Sequence, residues 1–118
     1  EIPVIGDAVV IGDDRRFLTA LLTLDEENLS QVADRDPSLP AHEDPRVVEA
    51  VREGVRRVNR QVARVETVRN FRLLPRRFSV EEDELTPTLK LKRRVIAESR
   101  QKEIDAMYEE GQILKPEK

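Results

Sequence analysis

The sequence has no cysteine and a single histidine, His42. The first absence excludes disulfides and thiolate metal sites. The second would leave a zinc site only carboxylates to complete its ligand set, and no such cluster is evident. Aromatic residues make up 3% of 118 residues, so there is little apolar surface to spare for a large ligand pocket. Also missing are a Gly-rich phosphate loop, a strand–serine–helix nucleophile elbow and any Cys/His pair. His42 lies in a Pro-rich loop and reads as solvated. A net charge of -3 argues against a general nucleic-acid binder. No apolar run approaches the length needed to cross a bilayer, and none resembles a signal peptide. The expectation is a soluble, cytoplasmic protein of a reducing compartment.

Hydrophobic and charged residues each make up 38% of the chain, enough for one domain with a modest core. The chain opens Glu1-Ile2-Pro3-Val4 without an initiator Met, and is expected to be cut from a longer polypeptide. Its tail from Gly111 to Lys118 is polar and reads as a terminus or frayed end.

Ala8-Val9-Val10-Ile11 and Phe17 to Leu24 are short apolar runs around the polar turn Asp13-Asp14-Arg15-Arg16, which predicts a hairpin. Both runs are apolar on consecutive residues, so both faces of each should be covered. Asp25 to Leu29 reads as a short helical piece after an Asp cap. Asp34 to Asp44, with Pro37, Pro40 and Pro45 nearby, reads as a loop. Val48, Val51, Val55, Val58, Val62 and Val65 recur at steps of three and four, the stripe of a helix with Asp44 as N-cap and Pro45 at its first position. Valine is a poor helix former, so packing must hold this element. Asn70 to Leu74 is a third strand closed by Pro75, and Arg76 to Val80 a short extension. Glu81 to Glu84 is an acidic turn, Leu85 to Leu89 a Pro-containing loop, and about Leu91 to Glu110 one helix with Val95, Ile96, Ile104, Met107 and Tyr108 on its less polar side. The class is α+β, a small three-stranded sheet or hairpin packed with helices.

Two charge patterns could carry chemistry. Arg52, Arg56, Arg60 and Arg64 could line an anionic ligand, but Glu49 and Glu53 interleave with them, which favours a salt-bridged helix surface. The acids in turns read as solvated. The second pattern is Glu84-Leu85-Thr86-Pro87-Thr88-Leu89-Lys90-Leu91-Lys92-Arg93-Arg94, a Pro-stiffened loop that delivers Lys90 just before a helix. Cations at a helix N-terminus oppose its dipole, so helix stability alone would not choose this cluster. A lysine there is a mobile point charge able to meet a phosphate or carboxylate.

This segment resembles the C-terminal lysine motif of adenylate-forming enzymes, Thr-x-x-Gly-Lys-(Ile/Val)-x-Arg, with Thr86, Lys90, Leu91 and Arg93 on those places. Leu89 departs from the usual Gly, a departure shared by long-chain acyl-CoA synthetases. The hairpin from Ala8 to Leu24 looks like that family's. Leu74 to Val80 and Glu103 to Glu110 look most like the bubblegum-type very-long-chain branch.

The resemblance implies the C-terminal lid domain of a long-chain fatty acid–CoA ligase spanning residues 1–118, with its hinge, Gly-rich hairpin and large N-terminal adenylation domain outside this sequence. It implies fatty acid, Mg-ATP and coenzyme A as the parent's substrates, and Lys90 as the residue serving adenylation. Thr86, Thr88, Lys92 and Arg93 become candidates for places near substrate or phosphate. No metal site and no bound cofactor are expected on this part, nor turnover by it alone. Its cut first strand points to self-association. Peripheral membrane association of the parent stays open. The alternative is a binding module, with Lys90 to Arg100 and the arginine stripe on nucleic acid or an anionic membrane. A third reading is a purely structural domain.

Overall fold

The computed structural model describes residues 2–32 and 35–114. Its centre is a three-stranded sheet in the order β1 (Ile5–Ile11), β2 (Leu18–Leu24), β3 (Val68–Leu73). The first two strands form the expected antiparallel hairpin, while β2 and β3 run parallel. A parallel neighbour needs a crossover, and α1 (Pro45–Asn59) supplies it.

Alternation along β2 builds two cores. Ala20, Leu22 and Leu24 join Val47, Val51 and Val55 of α1, with Phe71. Leu21 joins Val9, Leu74 and Phe78, together with Ile96 of α2 (Arg93–Ser99) and Ile104 and Met107 of α3 (Gln101–Glu110). The sheet is thus the middle layer between α1 on one face and α2 with α3 on the other. Both faces of β2 are covered, as expected from its continuous apolar run. β1 departs from that expectation. It is an edge strand, and Val10 is 43% exposed while Val9 is 1% exposed.

Asp44 caps α1 as expected. Its carboxylate accepts from the Arg46 amide at 2.9 Å and from the Asp36 amide at 2.8 Å, and Pro45 occupies the first turn. The valine stripe is shorter than the sequence period. It runs through Val47, Val51 and Val55, with Val48 and Val58 half-buried. Val62 and Val65 lie beyond the helix and are 39% and 82% exposed. Asn59 ends the helix, because its side-chain amide bonds both the carbonyl and the amide of Val68, at 2.8 and 2.9 Å. Those bonds start β3 two residues earlier than the sequence suggested.

The expected C-terminal helix is two helices. Arg100, at φ -111° and ψ 25°, breaks it, beside a Ser99 hydroxyl that donates to the Ile96 carbonyl at 3.1 Å. Such a back-bond competes with helix continuation. The break lets Ile96 and the pair Ile104/Met107 reach one core.

Asp25 caps a 3₁₀ turn, Glu26–Gln31, through the Glu27 amide. A second 3₁₀ turn, Ala41–Glu43, lies within the expected loop, whose Asp34 falls outside the described residues. Arg76 to Val80 is no strand, though Phe78 is buried. The tail is tied down as far as described. The Ile113 and Leu114 amides donate to the Arg69 carbonyl, and Leu114 is 3% exposed. No helix among the described residues is long and apolar enough to cross a membrane.

Candidate functional site

Residues 84–92 form a tight hairpin with Lys90 near its tip. The Lys92 amide donates to the Glu84 carbonyl and the Thr86 amide to the Lys90 carbonyl, both at 2.8 Å, around an antiparallel Leu85–Leu91 bridge. The tip is organised by Thr86. Its carbonyl accepts the Leu89 amide at 2.8 Å, its hydroxyl accepts the Lys90 amide at 3.0 Å, and Thr88 Oγ1 lies 3.1 Å from Thr86 Oγ1.

This turn drives Leu89 to φ 66°, the left-handed region that costs a side-chain-bearing residue about 1–2 kcal/mol. Glycine avoids that cost, which is the physical reason that Gly suits this place in Thr-x-x-Gly-Lys. Among the described residues, the other non-glycine residues at positive φ are Asp14 and Asp83. Aspartate tolerates this region better than leucine does.

The hairpin is clamped to the domain by Glu84, 3% exposed. Arg76 grips its carboxylate with Nη1 at 2.8 Å and Nη2 at 3.1 Å, and the Ser79 amide donates at 3.1 Å. Burial alone would raise the Glu84 carboxyl, but Arg76 and the Ser79 amide outweigh it, and its pKa is held below the ordinary value. Reading Glu84 as part of a solvated acidic turn is therefore corrected.

Beside Arg76, Arg77 donates to Asp7 through Nε at 3.2 Å and Nη2 at 3.0 Å. The buried Thr23 hydroxyl donates to the same carboxylate at 2.9 Å. Gly6 makes room for this, since a Cβ there would stand 2.7 Å from Arg77 Nε. For Asp7 too, burial pushes the pKa up, and Arg77 and Thr23 bring it net below the ordinary value. Asp7 and Glu84 were both missed in the sequence. An isolated acid next to a glycine carries no signal for a partner 70 residues along the chain, nor the last acid of a run for an arginine 8 residues before it.

The site residues divide into two groups. Thr86 and Thr88 shape the tip, and Lys92 bonds the Asp83 carboxylate at the base. Lys90 and Arg93 are exposed, and the side chain of neither has a hydrogen bond or ion pair among the described residues. Elsewhere in Lys90 to Arg100 the cations are engaged, Arg94 with Glu98 at 3.6 Å and Arg100 with Glu103 at 3.2 Å. On α1, Arg52 and Arg56 pair with Glu49 and Glu53 at 2.5 and 2.6 Å, and Arg64 lies beyond the helix. The stripe is thus largely a salt-bridged surface. His42 lines an open hollow of about 1000 Å³ with Leu29, Val32 and Leu39, which does not include Lys90. No group of three or more metal-ligating side chains exists among the described residues. The arrangement therefore offers one unpaired ammonium on a braced tip, able to meet an anion on another surface.

The family model described as "AMP-binding enzyme C-terminal domain" matches residues 1–112. The chain is 36% identical over 112 residues to the long-chain-fatty-acid–CoA ligase FadD15 of Mycobacterium tuberculosis, covering 90% of this chain and 19% of that protein. It is 35% identical over 135 residues to the human long-chain-fatty-acid–CoA ligase ACSBG1, covering 96% and 19%. The chain thus spans about a fifth of the length of these relatives. In fold it resembles the A-PCP didomain of a carboxylic acid reductase from Segniliparus rugosus (TM-score 0.70, 20% identity, covering 92% of this chain and 14% of that one). It also resembles the adenylation domain of such a reductase from Mycobacterium chelonae (TM-score 0.65, 23% identity, covering 92% and 16%). With the braced Lys90 hairpin in its motif register and a family match over nearly its whole length, the chain belongs to the AMP-binding enzyme C-terminal domain family.

Proposed function

We propose that residues 1–118 are the lid of a long-chain fatty acid–CoA ligase, and that Lys90 serves its adenylation step. In that reaction a fatty-acid carboxylate oxygen attacks the α-phosphorus of ATP, taken as its magnesium complex, and pyrophosphate leaves. The thiol of coenzyme A then attacks the acyl carbon of the adenylate, giving the acyl-CoA and AMP. The partner is the large adenylation domain of the same enzyme, which would carry the nucleotide, the metal and the acyl chain. This part alone is expected to be inactive and to hold no cofactor. The proposed setting is cytoplasmic, with the parent enzyme free to lie at a membrane surface.

The observation that carries this reading is the unpaired Lys90 ammonium on a hairpin braced at its base. As the new bond forms, the carboxylate gives up negative charge, which builds on the α-phosphate oxygens and the leaving pyrophosphate. A fixed cation there stabilises the transition state more than the ground state. One such donor contributes about 3 kcal/mol, roughly a hundredfold in rate. Arg93, exposed and unpaired among the described residues, is a second cation for phosphate or for the partner domain. Lys92, held by Asp83, supports the loop instead. Nothing in the comparisons favours the nucleic-acid or membrane module, and most of the basic segment is neutralised locally.

The test is Lys90→Ala in the full-length enzyme. Fatty-acid-dependent ATP–pyrophosphate exchange should fall about a hundredfold, while thioester formation from ready-made acyl-adenylate survives. Unchanged exchange would reduce Lys90 to surface charge.

A further inference from the structure

Leu89 is 68% exposed, and its left-handed backbone is enforced by the Thr86–Leu89 and Thr86–Lys90 hydrogen bonds. The two leucines flanking the tip, Leu85 and Leu91, pack against the core under α2 and α3, whereas Leu89 belongs to neither core. An apolar side chain thus stands in solvent on a backbone that penalises it. Within the domain it returns nothing for either cost, at a position where Gly or Asn would be accommodated freely.

Leu89 is also the neighbour of Lys90, and consecutive Cα atoms are about 3.8 Å apart. Whatever surface the ammonium approaches, the leucine side chain is carried against it or beside it. On the proposed reading, that surface adjoins the place where a carboxylate with a long hydrocarbon chain is activated, and a hydrocarbon is held by apolar walls. We infer that Leu89 is a docking anchor, packing into an apolar recess of the adenylation domain when Lys90 enters for the first half-reaction. The burial absent from the isolated domain is then made across the interface, in the adenylating arrangement. This inference rests on the lid reading above.

The experiment uses the full-length enzyme with Leu89→Asn, Leu89→Met and, as reference, Lys90→Ala. Asparagine tolerates the left-handed backbone, so the loop keeps its turn and loses only its apolar surface. Leu89→Asn should lower kcat/KM for pyrophosphate exchange about tenfold, by the same factor with octanoate and with palmitate. Thioester formation from ready-made acyl-adenylate should be unaffected. Leu89→Met, which restores an apolar side chain, should recover most of the exchange rate. Thermal unfolding of Leu89→Asn at or above the parent temperature confirms that the loss is not one of folding.

Wild-type exchange in Leu89→Asn overturns the inference, as does equal impairment by Asn and Met. A loss confined to one acyl length also overturns it, because the contact would then be with the acyl chain. Failure of the lid reading itself is read separately, as an unchanged exchange rate in Lys90→Ala.

Discussion

Glu84 and Arg76 hold each other through two parallel bonds, Nη1 to Oε1 and Nη2 to Oε2. Glu84 in turn accepts the Lys92 amide on its carbonyl. One residue therefore joins the Lys90 hairpin to the segment that follows β3, both through its backbone and through its side chain.

Removing that carboxylate should loosen the hairpin more than the sheet. Breaking a fully buried pair costs about 3–5 kcal/mol, but the Arg76 side chain is 44% exposed and can turn to water. Glu84→Ala is therefore expected to cost about 1–2 kcal/mol, read by urea unfolding. In the full-length enzyme, pyrophosphate exchange should drop further than thioester formation. An unchanged unfolding midpoint would show that the pair contributes nothing.

Acid should destabilise the domain through the same group and through Asp7. Both carboxylates titrate below their ordinary values, 4.5 for Glu and 3.8 for Asp. A group depressed in the folded state adds stability that is complete above its unfolded pKa and is lost as pH falls through its folded one. Stability should thus be level above about pH 5 and decline below it. Glu84→Gln should flatten part of that decline. Unfolding free energies measured across acid pH would show equal slopes if Glu84 were not involved.

The valine stripe gives a paired test. Val51 is 0% exposed and Val65 is 82% exposed, although both fit one helical period. Val51→Ala should cost on the order of 2 kcal/mol through lost burial and a residual cavity. Val65→Ala should change stability by less than about 0.5 kcal/mol. Similar losses at both positions would extend the packed helix past Asn59.

The edge of β1 is open to a second copy of this chain. Its outer backbone groups have no strand partner among the described residues, and Val10 is partly exposed on one face. Sedimentation of the chain should show concentration-dependent association, and Val10→Lys should weaken it. A monomer at every concentration counts against pairing through this edge.

Much of this architecture could be read from the residues because local chemistry agreed with the fold. The hairpin, the Asp44 cap, the body of α1 and the lysine motif all carry short-range signals. Where the reading failed, a distant partner decided. Asn59 stops a helix that the valine period would continue, because Val68 takes both ends of its amide. One apolar period from Leu91 to Glu110 could not reveal the break at Arg100, since both helices serve the same core. The bracing acids were opaque for the same reason. Lys90 was legible from its motif, and Leu89 was legible only as a departure from it, because the sequence does not display φ.

Tyr108 ties α3 to the far end of the hairpin. Its hydroxyl lies 2.7 Å from the Phe17 carbonyl oxygen, its ring is 4.9 Å from that of Phe17, and Arg15 sits over its face at 4.6 Å. Together with the Asp7–Arg77 and Glu84–Arg76 clamps, this ties α3, β1 and the Lys90 hairpin into one body. On the proposed reading, Lys90 mounted on such a body would not be delivered by bending the body. It would arrive as part of a solid object turning as a whole, and the timing of the chemistry would then be set by the pivot and not by the lysine.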